Sequence, residues 1–151
     1  MTTVVWKKGI LVCDSQSTSF NIRSEGSYKL VIDENMAYVV TGSTAEGLSF
    51  IDALIKGEEP SKLKEAEIVA MDLETGDGYV YEYSSVPLPI RDKFYAGGSG
   101  GDIALGALAM GATPEEAVRI ASKYDVYTGG KVQIVYSKKW KEKKKNYTKD
   151  S

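Results

Sequence analysis

The stretch TTVVWKKGILVCD, residues 2 to 14, constrains this chain more than any other. Thr3 to Lys8 and Ile10 to Asp14 are apolar, β-favouring segments joined at Lys8-Gly9. The pattern predicts two strands with a tight turn, closing at an aspartate. An alternating run that starts this early commits the first residues to a sheet.

Further hairpins follow. Tyr28 to Ile32 and Met36 to Val40 predict a second pair, turned at Asp33-Glu34-Asn35, after a polar loop, STSFNIRSEGS. Thr44 to Lys56 reads as a helix with Ala45, Leu48, Ile51, Leu54 and Ile55 as its apolar stripe, ended by Gly57. Ile68 to Met71 and Tyr79 to Tyr83 predict a third hairpin around Gly76-Asp77-Gly78, and Ser84 to Pro89 an irregular crossing. The segment FYAGGSGGD reads as a small-residue turn opening a helix from Asp102 to Met110. Thr113-Pro114-Glu115-Glu116 predicts a capped helix start, with Ala117, Ile120, Ala121 and Tyr124 facing inward. Lys131 to Tyr136 is a last strand. Hairpins with segregated helices indicate an α+β fold of antiparallel sheets covered by helices.

A chain of 151 residues has the length of one domain. It contains no histidine, which excludes Ser-His-Asp and Cys-His catalysis. The single cysteine, Cys13, allows no internal disulfide and fits a cytoplasmic protein. Alternation sets Cys13 on the strand face opposite Asp14, the position of a buried structural thiol. Residues 138–151 hold seven lysines against Glu142 and Asp150. They read as a solvated, partly disordered tail after a domain of residues 1–137, with neither nucleic acid nor membrane as partner.

The initiator methionine precedes a small residue and is normally removed, leaving Thr2 first. Its α-amine, with a reference pKa of about 7.7–8.0, can then take the proton of its own hydroxyl. A free N-terminal threonine is a nucleophile carrying its own base.

Several motifs, in order, resemble those of the proteasome β-subunit and HslV peptidases, which are N-terminal-nucleophile hydrolases. They are TTVVWKKGILVCDSQST, GSYKLV, VVTGSTAEG, AGGSGG and KYDVYTGG. The resemblance implies a four-layer αββα sandwich and a threonine endopeptidase acting on peptides or unfolded proteins. It makes Thr2 the nucleophile, Asp14 the buried aspartate, Lys29 the active-site lysine and Gly42 the oxyanion donor. Ser99, Asp125 and Thr128 would orient the terminal amine. Ser17, Thr18, Ser27, Val31, Val40, Thr44 and Leu48 would bind substrate, favouring small or medium apolar side chains. No cofactor is needed for the chemistry. Backbone carbonyls of Ser122, Asp125 and Thr128 would hold a structural Mg or Na ion. The resemblance further implies a homo-oligomeric ring, with an ATP-dependent unfoldase as partner.

The sequence departs from the pattern after the first helix. Family members carry a long second helix there, whereas GEEPSKLKEAE has room for about two turns. Two other readings therefore stand beside the peptidase: an inactive β-like assembly or binding subunit, and a small-molecule amidase of the same nucleophile type.

Overall fold

The structure, a computed structural model, describes residues 2–19, 22–24 and 29–149. In chain order the opening hairpin is β1 (Thr3–Lys7) and β2 (Ile10–Cys13), followed by a small hairpin, β3 (Ser17–Ser19) and β4 (Ile22–Ser24). Next come β5 (Leu30–Ile32), β6 (Met36–Gly42), α1 (Thr44–Lys56), β7 (Ala66–Asp72), β8 (Gly78–Tyr81) and β9 (Leu88–Pro89). The chain continues through β10 (Phe94–Gly98), α2 (Gly101–Ala109), α3 (Pro114–Tyr124), β11 (Gln133–Tyr136) and α4 (Lys138–Lys149).

Two antiparallel sheets stack face to face. One has the order β10-β1-β2-β11 and the other β5-β6-β7-β8-β9. Three apolar clusters define the layers. Val4, Trp6 and Leu11 meet Val39, Val69 and Met71 between the sheets. Phe50 and Ile51 of α1 cover Val40, Ile68 and Tyr81 on the outer face of the second sheet. Ala104 and Leu108 of α2, with Ala117, Val118 and Ala121 of α3, cover Val5, Ile10 and Val12. The architecture is an α+β sandwich in four layers, helix, sheet, sheet, helix. No helix among the described residues is long and apolar enough to cross a membrane.

Several local expectations change. The AGGSGG motif is entered by a strand, because Phe94–Gly98 pairs antiparallel with β1, Tyr95 opposite Trp6 and Gly98 opposite Thr3. The polar segment after Ser17 holds the short β3–β4 pair. Helix α1 buries Gly47, Phe50 and Ile51 rather than centring on Ala45 and Ile55, since Gly47 lets the helix rest on Val40. Helix α3 buries Val118 and leaves Ile120 and Tyr124 exposed. The lysine-rich end is helical: Ser137 Oγ accepts the Trp140 N–H at 3.2 Å, and the Trp140 ring stacks on Tyr136.

Residues 57–65, between α1 and β7, form no helix at all. One carboxylate closes the connection. Glu46, in the first turn of α1, accepts the N–H groups of Lys64, Glu65 and Ala66 at 2.6, 2.9 and 3.0 Å on a single oxygen. Ser43, the N-cap of α1, donates its N–H to Glu65 O.

Candidate active site

Thr2 immediately precedes β1 and is buried, with Thr3 fully buried beside it. The turn after β10 presses on this pair. Gly98 has φ +83°, and a Cβ there would stand 1.6 Å from Thr2 O. A side chain cannot replace the hydrogen without moving the start of β1.

Asp14, just past β2, has no exposed surface and accepts four hydrogen bonds. Its Oδ1 takes the Thr3 N–H and the Lys29 ammonium, both at 3.0 Å. Its Oδ2 takes the N–H groups of Gln16 at 3.3 Å and Gly129 at 3.0 Å. A buried carboxylate is tolerable only when it is paired and hydrogen-bonded in this way. Lys29 is 1% exposed and precedes β5, where its carbonyl accepts the Val40 N–H at 2.9 Å. Burial pulls its ammonium below the ordinary lysine range, and the attached Asp14 opposes that shift. Lysine and backbone thus meet on one oxygen next to Thr2. The neighbouring Cys13 is a buried thiol pushed up to about 12, by burial first and by the Asp14 charge second. It is no nucleophile near neutral pH.

A second carboxylate gathers hydroxyls. Asp125, at the C-cap of α3, accepts from Ser99 Oγ at 2.6 Å and Thr128 Oγ1 at 2.5 Å. Its other oxygen accepts the Tyr127 N–H. Burial raises its pKa, but these donors outweigh burial and hold the carboxyl below the ordinary range. Thr128 Oγ1 also lies 2.7 Å from Thr3 Oγ1. Through these bonds Ser99, Asp125 and Thr128 reach the start of β1. The Asp125 carbonyl accepts the Thr128 N–H at 3.2 Å, so one of the three carbonyls assigned to a cation is already engaged within the loop.

Gly42 ends β6 at an exposed position with φ +81°. A Cβ there would stand 2.1 Å from Glu65 O. Val31 and Leu48 pack on the cluster containing Val40, which is 1% exposed, while Thr44 opens α1 half-buried. Ser17 starts β3 half-buried. Ser27 and the side chain of Thr18 lie outside the described residues. A cavity of about 280 Å³ opens beside Gly42, lined by Thr41, Lys64, Glu65, Glu67 and Glu82.

The motifs passed over three residues that hold this geometry. Thr3 carries a bond to each carboxylate cluster. Gln16 donates its side-chain amide to Val126 O at 3.0 Å, pinning the β2 exit to the loop after α3. Glu46 fixes the segment packed against Gly42. Thr3 and Gln16 had one legible signal, polar residues set next to an apolar hairpin.

No protein-family model matches the sequence, and no curated protein matches it significantly. Solved structures do match in fold. Thiobacillus denitrificans BPH in complex with epoxomicin superposes with a TM-score of 0.67 at 18% identity, covering 88% of this chain and 95% of that one. A second structure of Thiobacillus denitrificans BPH gives 0.67 at 17% identity. Eukaryotic HslV from Trypanosoma brucei gives 0.64 at 20% identity, covering 89% of this chain and 98% of that one. The chain has the HslV fold. In it the start of β1 and the loop after α3 lie against each other, joined by the Thr3–Thr128 contact and by the Gly129 N–H on Asp14.

Proposed function

We propose that the chain is a threonine peptidase that cleaves peptide bonds through an acyl-enzyme on Thr2 once Met1 has been removed. One observation carries the reading: the Lys29 ammonium and the Thr3 N–H share a single oxygen of fully buried Asp14, directly beside Thr2. A buried lysine–aspartate pair contributes little net stability, so its placement at the chain's first strand favours a chemical role.

In this reading Thr2 Oγ attacks the scissile carbonyl carbon and its proton passes to the α-amine. Lys29, held by Asp14, supplies positive charge that eases deprotonation of the hydroxyl. The oxyanion forms against the Gly42 N–H, a kind of donor worth about 3–4 kcal/mol where one has been removed. The C–N bond then breaks, the leaving amine takes the proton from the α-ammonium, and water hydrolyses the ester. Ser99, Asp125 and Thr128 orient the amine. No cofactor enters the chemistry. Val31 and Leu48 favour an apolar residue of small or medium size at the cleaved position, with Val40 sealed in the core they pack on. The active form is a cytoplasmic homo-oligomeric ring that confines the site, fed by an unfoldase.

The test is a mass measurement of the purified protein before and after an epoxyketone, which captures hydroxyl and amine of an N-terminal threonine together. A free Thr2 and a stoichiometric adduct are expected. Retained Met1, or a free Thr2 with no adduct, sinks the peptidase. The missing helix at 57–65 favours a second reading, an inactive subunit of such an assembly, which predicts assembly without an adduct.

A further inference from the structure

We infer that Thr3 is a positioning residue that ties the amine-orienting cluster to the nucleophile's strand. The inference rests on the peptidase reading and deepens it. A proton inventory sets the direction of the bonds. The Asp125 carboxylate, titrating below its ordinary range, only accepts. Thr128 has one hydroxyl proton and directs it to Asp125. The 2.7 Å contact between Thr128 and Thr3 is therefore filled by the Thr3 proton. The chain of hydroxyls runs from Thr3 to Thr128 to Asp125, one way only.

The same residue gives its main-chain N–H to Asp14 Oδ1, the oxygen that also holds Lys29. Thr3 thus touches the lysine side through its backbone and the amine side through its side chain, with no exposed surface of its own. The peptide plane between Thr2 and Thr3 is fixed by the first bond, and the loop that carries Asp125 and Thr128 is fixed to that plane by the second. The glycine turn leaves room for this. A Cβ on Gly100 would stand 2.0 Å from Thr3 Oγ1 and 3.1 Å from Thr128 Oγ1, so the hydroxyl pair sits in a slot that glycine alone keeps open. Misplacement of a reacting group by about 1 Å can cost about a hundredfold in rate, which is what a slack loop would produce.

The experiment uses the processed full chain and the variants Thr3→Val, Thr3→Ser, Thr128→Val and the Thr3→Val/Thr128→Val double. Peptide turnover is measured across pH, and the Thr2 α-amine is titrated by ¹⁵N NMR. Thr3→Val keeps the branched shape and removes the donor. Its kcat is expected to fall about ten- to a hundredfold with KM within about twofold. The amine pKa should drop, because Asp125 no longer sits close enough to favour the ammonium. Thr3→Ser should restore both, and the double variant should be no worse than Thr128→Val. Unchanged kcat and amine pKa in Thr3→Val, or additive effects in the double, overturn the inference. So does a loss of thermal stability alone. If Thr3→Val fails to fold, Thr3→Ala is read by the same titration. If the wild type neither turns over peptide nor takes an epoxyketone, the peptidase reading fails, and the amine titration still decides the role of Thr3.

Discussion

The two aspartates of the site solve different problems. Asp14 is sealed between the opening hairpin and the loop after α3, and three of its four donors are backbone N–H groups. Asp125 sits at a helix end, half-buried, and hydroxyls supply its strongest bonds. Asp14 is therefore a fixture of the core that also borders the proposed site. Asp125 belongs to the proposed site, with little of the core resting on it. Deep burial with backbone partners makes a residue expensive to remove, whereas hydroxyl partners near the surface can be rehydrated.

The largest effect expected from breaking this contrast is at Asp14. Asp14→Ala removes the carboxylate that holds the Lys29 ammonium and three buried N–H groups, and denaturant unfolding should show a loss of about 3–5 kcal/mol together with loss of turnover. Lys29→Met should cost less, about 1–3 kcal/mol, because Asp14 keeps its three backbone donors and burial already disfavours the ammonium. The order Asp14 above Lys29 is the checkable content, and the reverse order would refute the view of Asp14 as the anchor.

The thiol next to Asp14 gives a pH test. Cys13 is raised from an unfolded-state value of 9.0 to about 12, so between those limits the folded chain binds more protons than the unfolded one. Stability from this group is complete below pH 9 and is lost as pH rises toward 12, by about 1 kcal/mol at pH 10. The loss is read as the difference between wild type and Cys13→Ala in urea melts at pH 8 and pH 10. Smallest in stability is Asp125→Asn. It should shift the unfolding free energy by no more than about 1 kcal/mol while lowering kcat at least tenfold, a split that separates the two aspartates.

The opening hairpin was legible because apolar β-branched residues and a Lys-Gly turn leave little choice, and Cys13 and Asp14 fell where alternation put them. The Phe94–Gly98 strand was hidden by Gly97 and Gly98. Glycine lowers strand propensity, and its reason here is the approach to Thr2 O, which no local pattern encodes. Ile120 and Tyr124 misled for a related cause. A period of 3.6 fixes a stripe but not which edge of it the sheet covers, and α3 lies on its Val118 side. The lysine-rich end carried no apolar period, and that helix is seated by Trp140 against Tyr136 and by the N–H groups of Lys138 and Lys139 on the Leu73 and Glu74 carbonyls. Around the proposed site, the motifs singled out Asp14, Lys29 and Asp125, which the structure brings to the start of β1, yet Thr3, Gln16 and Glu46 act through contacts across more than ten residues or through backbone groups, which spacing does not display.

Glu46 has a bearing on engineering. Its three bonds fasten the start of β7 to the first turn of α1 whatever chain lies between Gly57 and Lys62, and Leu63 is already sealed in the core beyond that span. Closure entropy grows by only about 0.6 kcal/mol for each doubling of a loop. The 57–62 span is thus a graft point: a reporter peptide or small folded module inserted there should leave the sandwich standing.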